Sequence, residues 1–301
     1  MNNNIGFIGL GKMGLPMAKN LLKNGFTVFG SDVDETAINE FKGSGGKTGM
    51  INEWIHSVHS IILMLPSSTI VNQVVDDIIE LYHPAAHHGS NHLLVIDMSS
   101  SYPSETRKNG KKLKNRNIDF VDAPVSGGVK KAISASLSVM VGGRFEDYQN
   151  CKRLLDCVAE KIFYIGDLGN GHLLKVMNNY LSAGHLLMAS EAIHLLADFN
   201  VDPKTAIEVI NQSSGRSGST DYKFPSFILN EEYNSGFSLR LMEKDVMMAN
   251  QVFKEYDAAT TLPQSVFHRF NEASAILEKE ADHTEIFKFV AAYLTKKGAF
   301  K

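Results

Sequence analysis

The chain has 301 residues, 44% of them apolar and 21% charged, which excludes a disordered or fibrous protein and predicts two globular domains, or one large α/β domain with an appendage. Thirty Lys and Arg against 33 Asp and Glu leave a net charge of −3, so no positive field is available for nucleic acid or an anionic membrane, and the expected partner is a small molecule. Only Cys151 and Cys157 are present, too few to staple a chain of this length, which predicts a reducing, cytoplasmic setting and no disulfide.

The first residues, MNNN, run straight into an apolar strand with no basic segment or long apolar run, so no secretory signal is expected. The apolar run at 61–65 is far below the ~20 residues that a bilayer requires, and later apolar helices are interrupted by His, Asn, Glu and Asp. Short β-rich runs at 5–9, 27–31, 60–65, 93–98, 120–122, 137–141 and 161–165 alternate with helical stretches. That alternation is the signature of βαβ units and a largely parallel sheet. Of 24 glycines, 19 fall within residues 1–171 and 5 beyond, so the architecture changes there. No proline occurs between Pro124 and Pro203, and within a linking helix at about 171–200 the stretch His172 to Asn200 reads as one unbroken helical run of roughly 28 residues. At 1.5 Å per residue it is about 42 Å long, enough to link two lobes. Asp202-Pro203 and Leu262-Pro263 open further helices, each as a capping pair. QSSGRSGST at 212–220 reads as a small-residue loop, and helices around 237–252 and 264–277 complete an all-α region.

Three constellations carry chemistry. Gly9-Leu10-Gly11-Lys12-Met13-Gly14 follows the first strand and opens the first helix. There Gly9 permits the tight turn, Gly11 the close approach of a pyrophosphate and Gly14 the packing of helix on strand. A second strand ends at Asp32, eighteen residues past Gly14, where a carboxylate meets a ribose 2′-hydroxyl and repels a 2′-phosphate. NAD is therefore favoured over NADP. The expected organisation is an α/β Rossmann dinucleotide-binding domain over 1–166 and an all-helical domain over 167–301, with the long helix between them. Next, Ser126-Gly127-Gly128 offers a hydroxyl and approachable backbone N–H groups for a carboxylate, but reads equally well as a glycine hairpin between strands. In GNGHLLKVMNN, Lys175 and Asn179 share one face of the long helix. An ammonium desolvated beside a cationic nicotinamide suits acid–base work on an alcohol, although a lysine early in a helix is ordinarily a solvated charge.

Taken together, GFIGLGKMGLPMAKNL, LMLPSS, DMSS, DAPVSGG with SVMVGG, GNGHLLKVMNN and MEKD resemble the β-hydroxyacid dehydrogenases, the group that contains 3-hydroxyisobutyrate dehydrogenase. The likeness covers nearly the whole chain. It implies oxidation of a small 3-hydroxy acid, 3-hydroxyisobutyrate first, to its semialdehyde with a nicotinamide cofactor. By the same resemblance Lys175 is the acid–base, Ser126, Gly127 and Gly128 bind the substrate carboxylate, and Asn179 orients the substrate. Ser100 in DMSS, where the family usually has Thr, sits by the nicotinamide ribose. Leu65 and Pro66 line the adenosine side, and Lys244 approaches the nicotinamide end. Val129-Lys130-Lys131-Ala132 departs from the family pattern and looks more like its sugar-acid branch, such as L-threonate dehydrogenases. SSGRSGSTD instead resembles the 3-hydroxyisobutyrate dehydrogenases, with Gly218 where they often have Trp, which implies a wider pocket wall. A small-aldehyde reductase is the same chemistry reversed. Two rival classes, a non-catalytic nucleotide-binding module and an imine reductase, are opposed by Lys175.

The remaining features read as structural. His83, His87, His88 and His92 match no standard metal spacing and fall in a connection, so no metal is expected. His185 and His194 do not share a helix face, and Lys130, Lys131 and Arg216 are most simply solvated charges. A helical second domain predicts a homo-oligomer of unspecified order.

Overall fold

The computed structural model describes residues 3–84, 92–258 and 260–296, so His87 and His88 lie outside the described residues. The chain divides into two compact units, Met1–Lys175 and Val176–Lys301.

The first unit alternates strand and helix. In order it contains β1 (Asn4–Ile8), α1 (Gly14–Lys23), β2 (Thr27–Ser31), α2 (Glu35–Gly43), β3 (Lys47–Thr48), α3 (Ile51–Trp54), β4 (Ser60–Leu63) and α4 (Ser68–Leu81). There follow β5 (Leu93–Asp97), α5 (Pro103–Lys114), β6 (Ile118–Asp122), β7 (Val125–Ser126), α6 (Gly128–Ile133), β8 (Leu137–Gly142), α7 (Phe145–Leu155) and β9 (Ala159–Gly166). Among the described residues nine strands form one sheet in the order β3-β2-β1-β4-β5-β6-β8-β7, with β9 pairing β8. The run from β3 to β6 is parallel throughout, and its order is that of the doubly wound Rossmann type. Beyond it, β8 runs antiparallel to β6 and β7 and parallel to β9.

The central strands are buried on both faces, which is why they read as unbroken apolar runs. Successive residues point to opposite faces. Phe7, Ile62, Ile96 and Val121 join one cluster with Met17, Leu21 and Phe41, while Ile61, Leu63, Val95 and Phe120 join another with Trp54, Val75 and Ile78. Cys151 and Cys157 are free and buried, and burial pushes the Cys151 thiol up to about 12.

Helix α8 (Asn170–Asp198) begins in the first unit and continues into the second. It stops before Asn200, which takes a left-handed φ of 63°. The second unit is otherwise α9 (Pro203–Asn211), a π-helical segment (Ser219–Ile228), α10 (Leu239–Glu255), α11 (Leu262–Ile276) and α12 (Ile286–Lys296). Asp202 caps α9 by accepting from the Thr205 N–H at 2.8 Å, ahead of Pro203 in the first turn. For α11 the capping expectation is half met: Pro263 is in the first turn, but the N-cap Thr261 makes no side-chain bond. The loop expected over 212–220 is shorter, because Ser219 and Thr220 already belong to the π-helical segment. Its Phe224 is fully buried with Leu186, Met242, Phe270 and Ile286 in the core of this unit. Among the described residues no helix is long and apolar enough to cross a membrane.

Candidate active site

Apart from Lys244 on α10, the expected cofactor residues follow the carboxyl ends of neighbouring parallel strands, where open α/β sheets bind ligands. After β1 comes Gly9, whose φ of 99° is left-handed and whose N–H donates to the Ser31 carbonyl at 2.9 Å. A Cβ on Gly14 would fall on the Gly9 carbonyl oxygen, so that glycine is required by the fold. A Cβ on Gly11 would meet no protein atom within 4 Å. The fold leaves this space open, which fits a phosphate-bearing cofactor approaching the loop. Lys12 is exposed and Met13 half-buried at the start of α1.

Asp32 follows β2 and ties the loop together. One carboxylate oxygen accepts from the Leu10 N–H and the other from the Asp34 N–H at 2.9 Å. Each carboxylate oxygen retains a lone pair for a ribose hydroxyl. Val33 beside it is fully exposed.

After β4 and β5 come Leu65, Pro66 and the strip 97–101. The Leu65 N–H donates to Ser99 Oγ at 2.9 Å, the Ser99 N–H to Asp97 Oδ1 at 3.0 Å, and Ser101 Oγ to Asp97 Oδ2 at 3.0 Å. Asp97, Ser99 and Ser101 are buried, whereas Ser100 is half-buried and Pro66 exposed. Asp97 was not anticipated. Its signal is a carboxylate closing an otherwise apolar strand.

The Ser126 segment is a strand-to-helix turn rather than a hairpin, because α6 separates β7 from its antiparallel neighbour β8. Ser126 is half-buried opposite Ser138. Gly127 and Gly128 are exposed with φ of 135° and 69°, and a Cβ on Gly128 would meet nothing within 4 Å. Lys130 and Lys131 are exposed on α6.

At the end of β6, fully buried Asp122 accepts from the backbone N–H groups of Gly169 and His172, both at 2.7 Å. It satisfies donors that the start of α8 would otherwise leave unpaired. Lys175 is half-buried on this helix. In the second unit Asn179 is buried and its Nδ2 donates to Asp245 Oδ2. Lys244 Nζ lies 3.3 Å from Asp245 Oδ1, an ion-pair distance without hydrogen-bond geometry. Asn179, Lys244 and Asp245 therefore form one group, of which Asp245 was missed. Its local signal is its place beside Lys244 in EKD.

Other candidates resolve as structural. Arg216 is exposed and pairs with Asp221 at 2.8 Å. His194 Nε2–H donates to the Phe287 carbonyl oxygen at 2.8 Å, and its ring stacks on the Phe287 ring. His83 stacks on His56, and His92 lies 3.8 Å from Asp119. Among the described residues no three His, Cys, Asp or Glu side chains converge on a metal-sized space. A cleft of about 440 Å³ in the second unit, lined by Tyr180, Gly184, Met188 and Val266, holds none of the expected site residues.

Comparison with known proteins is consistent across both units. Residues 4–166 match the family model described as the NAD binding domain of 6-phosphogluconate dehydrogenase, and residues 169–290 that described as NAD-binding of NADP-dependent 3-hydroxyisobutyrate dehydrogenase. The chain is 36% identical over 252 residues to 2-(hydroxymethyl)glutarate dehydrogenase of Eubacterium barkeri, covering 83% of this chain and 82% of that one. It is also 36% identical over 260 residues to the mitochondrial 3-hydroxyisobutyrate dehydrogenase of Mus musculus, covering 81% and 74%. The solved structure of Mycobacterium tuberculosis 3-hydroxyisobutyrate dehydrogenase with L-serine superposes with a TM-score of 0.89 at 27% identity, over 96% of this chain and 99% of that one.

Proposed function

The chain belongs to the β-hydroxyacid dehydrogenase family, that of 3-hydroxyisobutyrate dehydrogenase, and on that premise we propose that it oxidises a small 3-hydroxy acid, 3-hydroxyisobutyrate first, to its semialdehyde with NAD. The observation that carries this reading is the anchoring of the start of α8 on Asp122 at the carboxyl end of β6, which holds the helix of Lys175 at the strand ends that follow the Rossmann pattern. The loop Gly9, Leu10, Gly11, Lys12, Met13 and Gly14 cradles the pyrophosphate, and the open space over Gly11 supports this. Asp32 takes the ribose hydroxyls and disfavours a 2′-phosphate. Leu65 and Pro66 serve the adenosine side, Ser100 the nicotinamide ribose and Lys244 the nicotinamide end. Ser126 with the Gly127 and Gly128 backbone binds the substrate carboxylate, and Asn179 orients the substrate.

The bound dinucleotide supplies the hydride acceptor. Lys175 Nζ, unprotonated, takes the hydroxyl proton as the carbinol carbon gives up its hydride and becomes a carbonyl. In the reverse direction Lys175 returns that proton. A positioned base of this kind contributes about 10²–10⁴ in rate.

A 3-hydroxy acid with further polar groups is the second reading. The similarity to a 2-(hydroxymethyl)glutarate dehydrogenase favours a second carboxylate, and the Lys130-Lys131 departure favours a threonate-like acid. NADH and NADPH formation measured across 3-hydroxyisobutyrate, 2-(hydroxymethyl)glutarate, threonate, glycerate, serine and 4-hydroxybutyrate separates these readings. No reduced cofactor from any acid would refute all of them.

Self-association is part of the proposal. Helix α8 leaves Leu174, Leu181, Met188 and Leu195 exposed at seven-residue spacing, the repeat of a helix-packing seam. A monomer by light scattering would remove it.

A further inference from the structure

One buried histidine is left unused by the proposed chemistry. His172 is 0% exposed, as are Asp97 and Asp122 on either side of it. Its Nε2 lies 3.8 Å from Asp97 Oδ2 and its Nδ1 3.7 Å from Asp122 Oδ2. The direct bonds go elsewhere. Nε2 is 3.1 Å from the Ser99 carbonyl oxygen, which only accepts, so Nε2 carries the hydrogen. Nδ1 is 2.8 Å from Thr106 Oγ1, whose hydroxyl is also 3.0 Å from the Tyr102 carbonyl. With its own backbone N–H on Asp122, this one residue ties α8 to the end of β6, to α5 and to the strip after β5.

The connection runs on to the proposed site. Ser99 holds the Leu65 N–H and is itself held by Asp97. Ser100 is one peptide further along the strip, and Lys175 is one turn along α8 from His172, on the same helix face. Burying an imidazole between carboxylates has a desolvation cost that an apolar side chain of similar size avoids. What the imidazole adds is orientation: a hydrogen bond fixes the Ser99 peptide, which packing alone leaves free to turn.

We propose that His172 is a positioning residue that fixes Ser100 and Lys175 in one frame by bonding the Ser99 carbonyl to the first turn of α8. The inference rests on the reading that Ser100 and Lys175 serve hydride transfer.

The test compares three variants of the full chain. His172→Leu fills the space without bonds, His172→Gln keeps a donor for Ser99 and an acceptor for Thr106, and Thr106→Val removes one tether. Amide hydrogen exchange over 98–101 in the cofactor-free protein should quicken about tenfold in His172→Leu and stay within about threefold in His172→Gln. With substrate, His172→Leu should lower kcat about tenfold or more while KM for the acid changes less than about threefold, and His172→Gln should restore most of kcat. Unchanged exchange over 98–101 in a folded His172→Leu protein overturns the proposal, as does equal impairment of the Leu and Gln variants. If His172→Leu does not fold, Thr106→Val decides: exchange over 98–101 faster by about threefold is expected, and an unchanged rate overturns the proposal. An unmutated protein that reduces no cofactor with any acid refutes the reaction assignment, and the exchange measurement, made without cofactor or substrate, decides the role of His172 independently.

Discussion

Two glycines of the first loop should respond in opposite ways to the same methyl group. A Cβ on Gly14 would coincide with the Gly9 carbonyl oxygen and crowd Phe7, so Gly14→Ala must displace backbone. Overpacking of this kind costs about 1–3 kcal/mol. In a domain of this size that lowers Tm by about 2–4 °C per kcal/mol. Gly11 has no protein atom within 4 Å of its Cβ position and is not left-handed, so Gly11→Ala should be neutral or stabilising by up to about 1 kcal/mol. Its loss is expected elsewhere, because on the proposed reading the methyl would occupy the space that the pyrophosphate takes. A tenfold weakening of dinucleotide binding corresponds to about 1.4 kcal/mol, and at least that much is expected. Thermal unfolding of the cofactor-free proteins and titration with NADH followed by fluorescence measure the two effects separately. A Gly11→Ala protein that binds NADH as tightly as the unmutated one would refute the assignment of this space to the cofactor.

The other expectations concern chemistry and acid stability. Lys175→Ala should fold and bind NADH yet lose about 10²–10⁴ in kcat/KM in an NADH-formation assay, and turnover near the unmutated rate would end its assignment as the acid–base. Asp32→Ala should narrow the preference for NAD over NADP, measured as the ratio of kcat/KM, and equal use of both by the unmutated protein would show that Asp32 does not discriminate. Burial alone would raise the Asp282 carboxyl, but the His283 ring beside it and bonds from Thr284 hold it well below the usual carboxylate range. Ser235 Oγ at 2.8 Å and the Gly236 N–H at 3.0 Å also donate to it. A depressed folded pKa stabilises above the unfolded value and is lost as pH falls through and below about 4. Asp282→Asn should therefore be less stable than the unmutated protein at pH 7, with the difference shrinking as pH is lowered from about 4. A difference independent of pH would contradict that linkage.

What was legible in the sequence is what is local. Gly9, Gly14 and Asp32 announce a nucleotide fold because a strand, a tight turn and a helix start impose residue types over a few positions. The strands β4 and β5 are legible because burial on both faces demands unbroken apolar runs. Strands β3 and β7, of two residues each, are too short to carry a period. The π-helical segment was hidden by Pro225, which reads as a helix breaker, and it is held by burial of Phe224, Phe227 and Ile228. The site's polar ties are illegible for a different reason. Asp122 reaches Gly169 across 47 positions, Asn179 reaches Asp245 across 66, and His172 reaches Ser99 across 73. Hydrogen bonds between residues so far apart leave no periodicity, so only folding reveals which of the 33 acidic residues cap a helix, hold an amide or flank a histidine. The motif GNGHLLK shows this most clearly. Sequence reasoning settles on Lys175, the residue whose chemistry is familiar, while the structure shows three buried ties at His172, to Thr106, Asp122 and Ser99. On the proposed reading of Lys175 as the base, its helix has to be fixed to the strand ends, and the residues whose hydrogen bonds tie the start of α8 there are Asp122 and His172.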